Sequence, residues 1–132
     1  MAADARIAAH LTKAQERLDA ATDLLAGGHF EDSASRAYYA AFHAATAALL
    51  ARGIEAKTHG GLRALFALHL VRPRLLPTEV GRTLESLYDA RRRSDYEVTT
   101  FFDREDAEAA LAGARRFVEA CRALTASGAQ DG

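Results

Sequence analysis

The sequence predicts an all-α fold, an antiparallel four-helix bundle with an additional short helix. Three observations predict it. Alanine dominates the apolar residues, which make up 49% of the chain, and there are only two prolines and no tryptophan. Ala is the best helix former and a poor strand former. Apolar side chains recur at alternating spacings of three and four, the period of a helix with one buried seam. One central segment, "AYYAAFHAATAALLA" from Ala37 to Ala51, has only His43 and Thr46 as non-apolar residues. A helix apolar on nearly every side is a buried one, so this segment should be the middle of the bundle.

The elements follow in order. Over residues 4 to 26, Ile7, Leu11, Ala14, Leu18, Ala21 and Leu25 form one seam, with Lys13, Glu16, Arg17 and Asp23 opposite. Gly27-Gly28 stops that helix. The central helix runs from about Glu31 to Arg52, and Gly53 ends it. A short helix over about Thr58 to Leu70 presents Leu62, Leu65, Phe66 and His69 on one face, with Thr58 as its N-cap. "VRPRLLP" then turns, because each proline disfavours helix in the residue before it. Thr78 and Glu79 open a helix that carries Val80, Leu84, Leu87 and Tyr88 inward until about Arg93. Asp103 caps the last helix, whose first turn holds Glu105 and Asp106, as the helix dipole favours. Residues 1–126 read as one domain, and the terminal "SGAQDG", 127–132, as a disordered tail with nothing to bury.

Composition narrows the function classes. A chain of 132 residues with 27% charged residues suits one soluble globular domain. Its single cysteine, Cys121, allows no intrachain disulfide, and the start lacks the pattern of a secretory signal. No apolar run approaches the ~20 residues that span a bilayer. A cytoplasmic protein is therefore expected, with no membrane partner. The net charge of −1 argues against a broad coat of nucleic acid, so any RNA contact must come from a local basic patch. The histidines at 10, 29, 43, 59 and 69 form no helical zinc motif, and no phosphate loop or nucleophile elbow is present. The residues call for no metal and no cofactor.

One patch stands out, "LYDARRRSDYEV" at residues 87–98. The steps from Val80 to Leu84, Leu87 and Arg91 are +4, +3 and +4, so Arg91 falls on the apolar stripe. A guanidinium there needs a carboxylate, a ligand or the mouth of a cleft. Arg92 and Arg93 turn away and also suit the negative end of a helix. Asp95 reads equally as a turn residue or as a site carboxylate. On the central helix Arg36, Tyr39 and His43 stand at i, i+3 and i+7, a polar line on the most apolar element. His43 reads either as a satisfied core histidine or as part of a cleft. Tyr38 and Phe42, on the other side, read as core.

The segments "SRAYYAAFHAATAALLARGIEAKTHGGLRALF", "LLPTEVGRTLESLYDARRRSDYE" and "DAEAALAGARRFVEACRAL" together resemble the HEPN domain family over about residues 4 to 125. The likeness is greatest to small stand-alone members with an Ala-Tyr-Tyr-Ala-x-Phe-His central helix and a Lys-Thr-His loop, here Lys57-Thr58-His59. It implies a HEPN-like bundle that commonly forms a homodimer and often pairs with a minimal nucleotidyltransferase as a toxin–antitoxin module. It also implies, for many members, metal-independent ribonuclease activity at the dimer interface. The family signature there is an Arg followed after four to six residues by a His. Arg91 or Arg92 matches the Arg, but the matching positions hold Tyr96, Glu97, Val98 or Thr99, and no histidine follows His69. Tyr96 lies near the tyrosine that some partner nucleotidyltransferases modify with AMP.

The favoured expectation is a HEPN subunit of a two-protein module with a minimal nucleotidyltransferase, binding RNA or nucleotide through the arginine cluster. Arg36, Tyr39, Lys57, His59 and Arg92 are its candidate ligand contacts. The alternatives are a metal-independent ribonuclease toxin with a non-standard site, and a structural helical dimer without ligand. In the ribonuclease reading Arg91 would hold the phosphate and Asp95 would act as base. His43, or else His59, would then act as acid.

Overall fold

A computed structural model describes the backbone of residues 2–96 and 102–131 and the side chains of residues 4–93 and 102–127. Among the described residues there are five α-helices and no strand: α1 (Ala2–Ala26), α2 (Phe30–Leu50), α3 (His59–Phe66), α4 (Thr78–Tyr96) and α5 (Arg104–Asp131). None of them is long and apolar enough to cross a membrane. α2 is the hub and packs on each of the other four. Eight of its alanines are buried, as are Ala14 and Ala21 of α1. Side chains of a single carbon let these backbones approach closely. Ser33, itself fully buried, bridges the contact by donating its hydroxyl to the Ala21 carbonyl at 2.7 Å.

The helix ends follow from local chemistry. Gly28 (φ 82°) and Gly53 (φ 75°) supply the left-handed conformation after α1 and α2. At each, a pair of backbone bonds closes the end: Gly28 to Leu25 with His29 to Leu24, and Gly53 to Leu50 with Ile54 to Leu49. These are the two bonds of a Schellman motif, which a Cβ at the glycine would strain. Thr58 caps α3, its Oγ1 accepting from Gly61 N at 2.8 Å. A Cβ on Gly61 would stand 2.8 Å from that oxygen, so the cap itself requires glycine there. Asp103 and Asp106 cap α5 reciprocally, each carboxylate accepting from the other's backbone N–H at 3.0 Å.

Two expectations are corrected. α3 does not continue as one α-helix to Leu70, since Ala67–Val71 form a π-helical turn. The wider turn rotates the chain, so Leu70 is buried in line with Leu62 and Phe66 while His69 is exposed. α4 also runs three residues past Arg93, to Tyr96, so Ser94, Asp95 and Tyr96 continue the helix rather than turn.

The alanine-lined α1–α2 contact has a direct consequence. Ala21→Leu should lower folding stability by about 1–3 kcal/mol, read as a lower urea midpoint with an unchanged slope. A midpoint equal to wild type would show that the two helices do not pack this closely.

Candidate functional site

Tyr38 organises the region where α2, α3 and α4 meet. Its side chain is 0% exposed, and a buried phenol needs a partner for its hydroxyl. That partner is His59, the first residue of α3, with Oη and Nδ1 2.9 Å apart. The two rings stack with centroids 5.9 Å apart, and Phe42 stacks on the same imidazole at 4.5 Å. Tyr39 meets His59 edge-on at 6.0 Å, and Tyr88 of α4 meets Tyr38 edge-on at 5.7 Å. The result is an aromatic box around one histidine, built from consecutive turns of the most buried helix.

Two guanidinium groups close the box. Arg91 lies with Cζ 5.2 Å from the Tyr39 ring centre and 5.7 Å from that of Tyr38. Arg63 stacks over Tyr88 at 3.7 Å and donates from Nη1 to Glu85 at 2.8 Å, while its Nε is buried without a hydrogen-bond partner. Such cation–ring contacts contribute roughly 0.5–2 kcal/mol and let a charged head sit on apolar surface. The electrostatics are consistent with this crowding. Burial pushes the Tyr38 hydroxyl up to about 12, so it stays a neutral phenol. Burial, followed by the charges of Arg91 and Arg63, holds the His59 pKa below its usual 6.5. The box therefore keeps a neutral imidazole beside two permanent cations.

The expected polar line of α2 divides between two places. Tyr39 joins the box, whereas His43 turns toward α1 and meets His10, Nδ1 to Nδ1 at 3.1 Å with rings stacked at 5.3 Å. Burial first, then His10, Arg17 and Lys13, pull His43 down to about 4. Arg36 is exposed. His59, offered as the second choice of imidazole, is the one beside Arg91. Lys57 is exposed and lines a cleft of about 230 Å³ with Arg6, His10, Phe42 and Thr58. Arg92 is exposed, and Arg93 leans over the buried Phe102 with Cζ 5.6 Å from the ring centre. The backbones of Asp95 and Tyr96 end α4, and their side chains lie outside the described residues, as do Glu97, Val98 and Thr99. Cys121 is fully buried in the core, and burial pushes its thiol up, away from reactive thiolate chemistry.

Four members of the box were missed as site residues: Tyr38, Phe42, Arg63 and Tyr88. Tyr38 did carry a usable signal, because a hydroxyl in an otherwise apolar helix demands a partner from another element. Arg63 and Tyr88 carried none, since their meeting depends on how α3 docks against α4.

The HEPN domain model matches residues 7–124. The chain belongs to the HEPN domain family. A candidate toxin of Methanocaldococcus jannaschii is 35% identical over 106 residues, covering 80% of this chain and 78% of that protein. A UPF0332 protein of Gloeobacter violaceus is 34% identical over 110 residues, covering 83% and 87%. The crystal structure of TT1696 from Thermus thermophilus shares the HEPN bundle, with a TM-score of 0.78, 23% identity, and coverage of 90% of this chain and 98% of that one.

The His10–His43 pair makes the HEPN fold sensitive to acid. At 3.1 Å only one of the two facing nitrogens can carry a proton comfortably, and Arg6, Lys13 and Arg17 add to the repulsion. A histidine whose folded pKa is depressed stabilises the fold fully above its unfolded value and loses that contribution as pH falls. The His43 contribution should therefore be complete above about pH 6.5 and vanish as pH falls toward 4. Urea melts of wild type and His43→Leu between pH 7 and 4 should show the variant losing less stability. Parallel curves would contradict this.

Proposed function

We propose that this HEPN protein is one subunit of a two-protein, toxin–antitoxin-type module with a minimal nucleotidyltransferase. In this reading it acts in the cytoplasm as a homodimer that binds RNA or nucleotide phosphate through Arg91, Arg92 and Arg93. The observation that carries it is the seating of Arg91 against Tyr38 and Tyr39, beside a neutral His59. A guanidinium held on aromatic faces is pre-organised to receive a phosphate, and the same rings offer faces for bases. Arg92 is exposed beside it. Arg93 opens onto a groove of about 460 Å³ between α4 and α5, where Arg82 and Arg116 extend the positive surface among Glu79 and Asp106. This local concentration resolves the difficulty posed by a net charge of −1. The name of the M. jannaschii relative, a candidate toxin, supports the module assignment. Two-fold pairing would double the cluster and lengthen the track.

Binding of a fluorescent single-stranded RNA, measured across salt concentrations, tests the reading. Affinity should fall linearly with log salt, and Arg92→Ala should reduce that slope by about 1. Arg91→Ala should weaken binding at every salt concentration. RNA affinity that ignores both substitutions would refute the assignment.

A further inference from the structure

The box holds more than a binding surface requires. A phosphate cradle needs cations, yet here a histidine is pinned at one nitrogen, kept neutral and set against the same arginine. We infer that Tyr38, His59 and Arg91 form an RNA phosphodiester-transfer centre. In it Arg91 holds the scissile phosphate, Nε2 of His59 takes the 2′-hydroxyl proton, and Tyr38 fixes the imidazole. The inference rests on the RNA-binding reading above and adds chemistry to it.

The geometry assigns each role. His59 has Nδ1 within hydrogen-bond distance of Tyr38 Oη at 2.9 Å, which leaves Nε2 as the nitrogen able to exchange a proton. When Nδ1 carries the hydrogen and donates it to Tyr38 Oη, Nε2 presents its lone pair. Tyr38 can hold that tautomer because its ring is fully buried and fixed by Tyr39, Phe42 and Tyr88. The ring plane of His59 is set by Phe42 at 4.5 Å. The backbone at His59 is set by the Thr58 cap and by Gly61, where a side chain would strike the cap oxygen. Tyr38 is thus a positioning residue, and His59 and Arg91 are the groups that would touch substrate.

The step balances without a further reactant. The 2′-oxygen attacks phosphorus as its proton passes to Nε2. The bond from phosphorus to the 5′-oxygen breaks, and the imidazolium returns the same proton to that leaving oxygen. The products are a 2′,3′-cyclic phosphate and a 5′-hydroxyl, and His59 is restored. Arg91 offsets the charge that builds on the phosphoryl oxygens.

The arrangement also couples binding to basicity. The groups facing His59 are Tyr38 and Tyr39 from α2, Arg63 from its own helix and Arg91 from α4, with Tyr88 behind Tyr38. In the free protein the two guanidinium charges repel a proton from the imidazole. A phosphate seated on Arg91 cancels part of that field, so the site becomes more basic as substrate arrives. The base is weak when the site is empty and strengthens when it is filled.

Histidine NMR titration of the unmodified full-length chain, its mass checked for added AMP, is the first arm of the test. A single-stranded DNA oligonucleotide, which has phosphates but no 2′-hydroxyl, serves as the probe. The His59 pKa should rise when the DNA is added to wild type, and the rise should disappear in Arg91→Ala. The second arm is RNA cleavage with chelator present, by wild type, His59→Gln and Tyr38→Phe. Wild type should yield cyclic phosphate ends, and His59→Gln should be slower by about 10²–10⁴-fold. Tyr38→Phe should both slow cleavage and move the pH profile, because a freed Nδ1 alters the proton affinity of Nε2. A slower Tyr38→Phe with an unmoved profile would overturn the positioning role. RNA bound as described above but not cut, with a His59 titration indifferent to DNA, would overturn the centre and leave the binding reading standing. Failure to bind RNA would overturn both.

Discussion

The hydrogen bond between Tyr38 and His59 is the constraint on which the functional end of this bundle depends. It ties the most buried helix to the first residue of α3, and so decides where that short helix begins. A phenol buried without a partner would cost roughly 1–3 kcal/mol, which is why α2 can carry a tyrosine at its centre only if another element answers it. His59 answers. Everything else in the box then falls into place around the pair: Phe42 against the imidazole, Tyr88 against the phenol, and the two guanidinium groups over the rings. The alanine-rich contact of α1 with α2 supports the same arrangement from behind, by holding the hub helix rigidly on its other side.

Charge is concentrated here because aromatic faces make it tolerable. Arg63 and Arg91 lie over tyrosine rings, with Glu85 paired to Arg63. That allows cations near a buried helix in a chain whose charges otherwise balance. It also explains why the imidazole beside them resists protonation although it is only partly buried. The second histidine pair, His10 with His43, obeys the same electrostatics on the α1 side of the hub but belongs to the support of the fold. One helix therefore presents two histidine environments a single turn apart.

Much of the fold was legible because it rests on periodicity and on caps. The seam of α1, the all-apolar α2, the glycine stops and the Thr58 and Asp103 caps are local signals, and each reappears in the structure. The π turn at Ala67–Val71 was not legible, because no residue there announces it and only the packing of Leu70 requires it. Of the site, the position of Arg91 on the apolar stripe could be read from spacing alone. The partner histidine could not be chosen that way. His43 shares a helix line with Tyr39, and His59 lies in a loop-like stretch, so spacing favoured the wrong neighbour for Arg91. The docking of α3 on α2 decided between them. Family resemblance pointed to an arginine with a histidine in the same late helix, a position this chain fills differently.

The most direct test of the central interaction is a double-mutant cycle in folding stability. It would use Tyr38→Phe, His59→Leu and the pair, compared by urea unfolding at pH 7.5. The two singles should be non-additive by about 1 kcal/mol, because each removes the same hydrogen bond. Strict additivity would mean that Tyr38 and His59 do not hold one another, and the site built on them would lose its foundation.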